Sequence, residues 1–227
     1  MASRFPSLSA KLGSDRRTWK TFLCVLLLAA MAAPALGQQA SAPPAPPAAP
    51  QVVVLVNLRS SDLVVTDIKF RGFYNKIERK VIPIKDYDLN AALKDEVMNA
   101  VTEDKRAQWR AATAEDGLNG AALADDKQRT PAMLASVKGD RVLVVDVYGF
   151  GGVTQSLVKN LEIGVTVLLL DHDGRKLWKK NLSQRTKFPG SFEEMQADNQ
   201  KALKEAINTL IEKFGQNLKS KLTEEKI

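Results

Sequence analysis

Leu161, Ile163, Val165, Val167 and Leu169 recur at every second position, and then the chain meets Asp171-His172-Asp173-Gly174. A two-residue repeat of large apolar side chains belongs to a strand with one buried face, because successive side chains point to opposite sides. The Asp-rich tetrapeptide ending in glycine is a tight turn. The alternation resumes over Lys176 to Thr186, with Trp178, Lys180, Leu182, Gln184 and Thr186 on one side. A chain with this hairpin must build a sheet, and the apolar side of that sheet needs a cover.

The rest of the sequence supplies both. Val52 to Val56 is an unbroken β-branched run, as expected of a central strand covered on both faces. Arg141 to Tyr148, with Val142, Leu143, Val144, Val145 and Val147, reads in the same way. Val64, Thr66, Ile68 and Phe70 alternate with Val65, Asp67, Lys69 and Arg71. Tyr74-Asn75-Lys76 reads as a turn and Ile77 to Ile84 as the returning strand, with Pro83 marking an edge or an end. Two helices offer the cover. Asp88 is a good N-cap for one, whose stripe runs Leu89, Ala92, Leu93, Val97, Ala100, Val101 and ends near Thr102. Ser191 and Glu194 form a capping box ahead of the other, along Leu203, Ala206, Ile207, Leu210, Ile211, Phe214 and Leu218, with Gly215 expected to end or bend it. Pro131 to Val137 is a short helix candidate capped by Gly139. Between Glu103 and Thr130 the periodicity dissolves, leaving a short strand around Trp109 and then a mobile loop. The expected fold is α+β: a mixed, mostly antiparallel sheet with helices packed on it, over residues 51–227 as a single domain.

The N-terminus has a different character. Arg4, Lys11, Arg16, Arg17 and Lys20 precede the apolar run Phe22 to Ala33, and Ala35-Leu36-Gly37 follows Pro34. This is the three-part pattern of a bacterial export signal, with cleavage expected between Gly37 and Gln38. An uncleaved anchor is the alternative, although Phe22 to Gly37 is about sixteen residues with a proline inside, and a spanning helix needs roughly twenty. Cys24 lies inside the apolar run, between Phe22-Leu23 and Val25-Leu26, and lacks the small neighbours that lipidation requires. Gln38 to Pro50 is uncharged and rich in Pro and Ala, a semi-rigid spacer. The implied destination is the periplasm, with membrane contact only through the signal segment if it is retained.

Charge and composition exclude several functions. The first 37 residues carry five of the 33 basic and one of the 26 acidic side chains, which leaves 28 and 25. A near-balanced domain with no basic block interleaved with aromatics does not read as a nucleic-acid binder. With the sole imidazole, His172, in a hairpin turn and no cysteine beyond Cys24, a Ser-His-Asp or Cys-His arrangement is hard to build. His172 in its turn lacks further ligands, so no metal and no cofactor is expected.

Gly139-Asp140-Arg141-Val142-Leu143-Val144-Val145-Asp146-Val147-Tyr148-Gly149, then Val165 to Asp171, Asp173-Gly174 and Leu177-Trp178, resembles a group of bacterial envelope proteins. The group comprises the periplasmic part of the curli-secretion lipoprotein, the lipoprotein activators of penicillin-binding proteins, and the N-terminal domain of TolB. The resemblance covers Pro131 to Phe214 and implies an α/β sandwich that contacts other envelope components and does no chemistry. The chain departs from the group in lacking the lipid-bearing cysteine and in inserting the hairpin Leu63 to Ile84.

The candidate contact residues are Gly149, Phe150, Gly151 and Gly152, read as a glycine-rich loop exposing a phenylalanine. No Lys-Ser or Lys-Thr pair closes a phosphate-binding motif there. Asp125-Asp126 and Glu193-Glu194 are carboxylate pairs with structural explanations, and Trp109, Trp178 and Tyr87 read as core or interface residues. Leu177-Trp178 is expected to anchor the hairpin. The expected function is a non-catalytic periplasmic protein that binds an envelope partner or itself. The competing functions are a secreted hydrolase and a structural domain held at the inner membrane.

Overall fold

The computed structural model describes residues 48–71, 74–155 and 158–225. The signal segment 1–37, the Gly37/Gln38 cleavage point and all but the end of the 38–50 spacer lie outside the described residues.

Seven strands form one sheet: β1 (Gln51–Leu58), β2 (Leu63–Arg71), β3 (Tyr74–Ile82), β4 (Gln108–Ala111), β5 (Arg141–Gln155), β6 (Val158–Asp171) and β7 (Lys176–Lys187). The long β5 organises it. Along one edge β5 pairs antiparallel with β6, which pairs antiparallel with β7. The other edge is shared end to end. β1 runs parallel to its first half, Leu58 opposite Val147, and β2 runs parallel to its second half, Val64 opposite Gly151. β4 lies parallel outside β1, and β3 lies antiparallel outside β2. The fold is thus a mixed, mostly antiparallel sheet carrying helices, a general α+β sandwich.

Helix α1 (Leu89–Thr102) and the long helix α4 (Lys201–Glu224) cover one face. They pack on each other, α1 also on β1 and β4, and α4 on β6 and β7. Under them lie Val54, Leu143, Val145, Leu161, Ile163, Val165 and Val167, the in-phase residues of three strands. Each fully buried side chain of this kind contributes about 1.5–3 kcal/mol. Asp88 caps α1 by accepting from the Ala91 N–H at 2.9 Å.

Several local readings need correction. Tyr74, Asn75 and Lys76 are strand residues paired with Arg71, Phe70 and Lys69, and do not form the turn. Pro131–Leu134 is a 3-10 turn and Gly139 is not its cap: a Cβ at Gly139 would fall 2.9 Å from the Val53 side chain, so the glycine lets the chain pass close to β1. α4 neither ends nor breaks at Gly215 but runs through it. A Cβ there would overlap the Glu96 side chain of α1, so the glycine serves helix-helix approach.

The capping box opens only a short helix, α3 (Phe192–Gln196), with Ser191 accepting from the Glu194 N–H at 3.1 Å. The long helix begins anew after Gln200, whose backbone is left-handed (φ 44°). Its buried side chain accepts from Lys85 N–H at 2.8 Å and donates to the carbonyls of Pro83 (2.9 Å) and Met195 (2.8 Å). Those three bonds hold the break against the exit of β3.

The segment expected to be a mobile loop is instead packed. After β4 it forms a 3-10 turn and then helix α2 (Gly120–Ala124), capped by Asn119. Its Leu123, with Leu134 of the later 3-10 turn, seals Val53, Val142, Val144, Leu168 and Leu170 on the second face. Alanine-rich sequence hides this helix because its amphipathic stripe is a single leucine wide.

Candidate functional site

α2 and its flanking turns cover only half of the second face. Cross-strand register defines the rows of the other half: Val81, Val64, Gly151, Glu162 and Arg185 in one, Arg79, Thr66, Val153, Asn160 and Lys187 in the next, then Ile77 and Ile68. The opposite side of these strands is buried, with Leu63 and Val65 in the core. The alternation of β2 is therefore apolar on both sides, and the Val64 side is the one left bare. Of the five large apolar residues most exposed among those described, four lie on this half-face: Val64 (37%), Ile77 (60%), Val81 (60%) and Tyr148 (50%).

A bulge in β5 shapes the surface. Pairing slips between Val147 and Gly149, so Tyr148 and Gly149 both face the bare side opposite Gly164 while Val147 and Phe150 both keep to the core. The Tyr148 ring then lies over Gly164, where a Cβ would come within 2.9 Å of it. Gly151 faces the Val64 carbonyl, and a Cβ at Gly149 would meet nothing within 4 Å. Glycine at these three positions leaves a trough of about 330 Å³, walled by Val64, Tyr148 and Val153 on the apolar side and by Glu162 and Ser183 on the polar side.

The four residues picked from sequence line this trough, but not as a loop. Gly149 to Gly152 are strand residues in the middle of β5, and Phe150, expected to be exposed, is 9% exposed and packs in the core. The reason is the bulge: it keeps Phe150 in phase with Ile163, its partner on β6. Sequence reasoning missed Val64, Tyr148 and Gly164. The signal for them was the alternation of β2, which offers apolar residues to both faces.

The border between the covered and bare halves is electrostatic. Asp146, 1% exposed, accepts from Asn57 Nδ2 at 2.7 Å and from Arg59 Nη2 at 2.6 Å and Nε at 3.2 Å, tying the end of β1 to β5. Gly120 sits against this cluster, with room for no Cβ beside Asn57. Under the covered half, buried Asp116 takes a bidentate bond from Arg110 (2.7 and 2.8 Å) and another from Thr113 N–H. The guanidinium holds its carboxyl well below the usual carboxylate range. On the helix-covered face at the sheet margin, Asp67 accepts from Thr154 Oγ1 at 2.7 Å, and Glu78 lies 2.5 Å from Lys76 and 3.3 Å from Lys69, which bring it down to about 2.

The remaining singled-out residues are dispersed. His172 is exposed in its turn, 3.1 Å from Asp173. Asp126 pairs with Arg129 and Lys179, and Glu194 closes the capping box. Trp109 donates Nε1–H to the Asp104 carbonyl at 2.9 Å, and the Tyr87 hydroxyl bonds Asn208. Trp178 packs half-buried on the core, whereas Leu177 is exposed and anchors nothing. Among the described residues no cluster of three His, Cys, Asp or Glu could hold a metal, and no helix is long and apolar enough to cross a membrane.

No family model and no curated protein matches this chain. Among solved structures it is similar to the hypothetical protein CT253 from Chlamydia trachomatis, at TM-score 0.50 and 12% identity over 76% of this chain and 95% of that one. Protein XCC0632 from Xanthomonas campestris (TM-score 0.44, 13% identity, 82% and 93% covered) and lipoprotein GNA1162 from Neisseria meningitidis (0.38, 16%, 70% and 99%) are more remote in shape and carry no argument. None of the three is described as a curli-secretion lipoprotein, a penicillin-binding-protein activator or TolB. The resemblance drawn from Pro131 to Phe214 therefore stands as a shared general α+β sandwich and not as membership of those families.

Proposed function

We propose that this chain is a non-catalytic component of the bacterial envelope that holds a partner protein on the bare half of its sheet. The observation that carries this reading is the gathering of Val64, Ile77, Val81 and Tyr148 on one half-face around a glycine-floored trough. Isolated exposed apolar residues are ordinary, but a contiguous set rimmed by polar groups is the usual form of a protein contact site. The rim holds Arg79, Arg185 and Lys187 against Glu162, which suits an apolar partner segment flanked by acids. The export pattern before Gly37 supports a periplasmic setting, and the supply of only one histidine supports a role without acid-base or metal chemistry.

The test is a photo-crosslinking residue placed at Val64 and, as a control, at exposed Glu205 on α4, with irradiation of intact cells. The Val64 position is expected to yield an adduct of one defined mass that Glu205 does not, and Gly149→Arg, which fills the trough without a backbone clash, is expected to abolish it. Equal labelling at both positions, or an adduct that survives Gly149→Arg in a protein of unchanged melting temperature, removes this face as the contact.

A further inference from the structure

We propose that β3 is the seam of a homodimer, in which the strand pairs antiparallel with its own copy about a two-fold axis through Ile77. This inference does not rest on the trough binding another protein.

Among the described residues the sheet ends in three unpaired edges, and they differ. β4 is four residues long, too short for a stable ladder. β7 carries Lys176, Lys179, Lys180, Arg185 and Lys187 and no acid, so a second β7 would set one wholly cationic strand against another with no attractive charge opposition in any register. β3 is nine residues long, carries both signs of charge, and no described residue pairs with its outer edge. It also holds Ile77 and Val81, each 60% exposed.

Symmetry restricts the register. A two-fold axis normal to the sheet leaves each face on its own side, so a residue can only lie opposite one of the same pleat, and one residue must lie opposite itself. Centring on Glu78 puts Glu78 on Glu78 and Lys76 on Lys80, and centring on Lys76, Arg79 or Lys80 puts a cation on itself. Like charges directly opposite each other destabilise a strand pair. Centring on Ile77 puts the two isoleucines together, sets Lys76 opposite Glu78 twice, and leaves Arg79 and Lys80 opposite uncharged positions 75 and 74. Among the uncharged centres it pairs the longest stretch of β3, residues 74–80, and it makes no like-charge contact. Glu78 already lies between Lys76 and Lys69 of its own chain, so the seam becomes a row of alternating charges on the helix-covered face. On the other face the two bare halves join across the seam into one surface.

The test is sedimentation equilibrium of the purified chain and its charge variants, with circular dichroism melts to establish that each is folded. The wild type is expected to dimerise. Glu78→Lys, at a half-buried position, and Lys76→Glu, at an exposed one, each turn two attractive oppositions into repulsive ones and are expected to weaken the dimer about tenfold or more. The double variant Lys76→Glu with Glu78→Lys is expected to return to within about threefold of wild type, since each swapped residue again faces its opposite. Mixing the two single variants is expected to produce a heterodimer. A wild type that stays monomeric at all concentrations, a single reversal without effect, or a double variant no better than either single one overturns the proposal. Loss of the Val64 crosslink with dimerisation intact would instead strike only the partner-binding reading.

Discussion

Two halves of one sheet face, built from the same strands, have opposite fates in this protein. In the first half, Val53, Val142, Val144, Leu168 and Leu170 lie sealed beneath Leu123 and Leu134. In the second, the same β5 and β6 present Gly149, Gly151 and Gly164, and the neighbouring β2 and β3 present Val64, Ile68, Ile77 and Val81. What separates them is reach. The segment between β4 and β5 is held near the start of the sheet by the Arg110–Asp116 pair and by α2, and it stops at the Asn57–Arg59–Asp146 cluster. Apolar residues on a strand thus do not by themselves identify core; a covering element must also reach them.

Substitutions on the two halves break this comparison or sharpen it. The largest effect belongs to Val144→Asp, which places a carboxylate without a partner under Leu123 and is expected to cost about 4 kcal/mol or more, read as a shift of the urea midpoint. A midpoint close to wild type would mean that the covered half is not closed. Next comes Arg59→Ala at the border, expected to cost about 3 kcal/mol, since it strips a buried carboxylate of its charged partner and leaves it with Asn57 alone. The same denaturant titration measures it, and Arg59→Lys should recover only part because it cannot reproduce the two-nitrogen contact.

Gly120→Ala is expected to cost about 2 kcal/mol by pushing α2 away from Asn57, against the usual gain from replacing a helical glycine. Stabilisation by this change would mean that α2 can move off the sheet more easily than the 2.5 Å between a Cβ at Gly120 and the Asn57 Cβ implies.

Acid should weaken the covered half through Asp116. Its folded carboxyl titrates below the unfolded value of about 3.9, so its contribution is complete above that pH and disappears as pH falls through the lower folded value. Thermal melts of Asp116→Asn should accordingly show a flatter loss of stability between about pH 5 and pH 2 than the wild type. Parallel acid limbs would assign the loss to other carboxylates.

The smallest effect is expected on the bare half. Val64→Thr keeps the β-branch and should change stability by no more than about 0.5 kcal/mol, whereas Val144→Thr buries a hydroxyl and should cost about 2 kcal/mol. Equal losses at the two positions would mean that something covers Val64 in the free protein.

The hairpin of β6 and β7, the run of β1, and the caps of α1 and α3 were legible because each is a local signal: a period, a turn tetrapeptide, a side chain within three residues of the N–H it satisfies. α2 was not, since a five-residue helix with one buried leucine leaves no periodicity to count. The glycines of β5 were picked out as a contact region but assigned to a loop. Glycine weakens a strand locally, and the long ladder with β6, joined by β2 on the other side at Gly151 and Gly152, holds Gly149 to Gly152 extended.

By itself, then, the sequence determined a sheet with one helix-covered face, the position of most strands and a composition poor in catalytic groups. Tertiary structure alone decided that β1 and β2 share one edge of β5, that Gln200 interrupts what reads as a continuous helical stretch by bonding Pro83 and Lys85, and that Val64 faces outward while Val65 faces in. Each of these depends on residues far apart in the chain. For the valines, either side of β2 could have been buried, and the side that was is the one α1 and α4 reach.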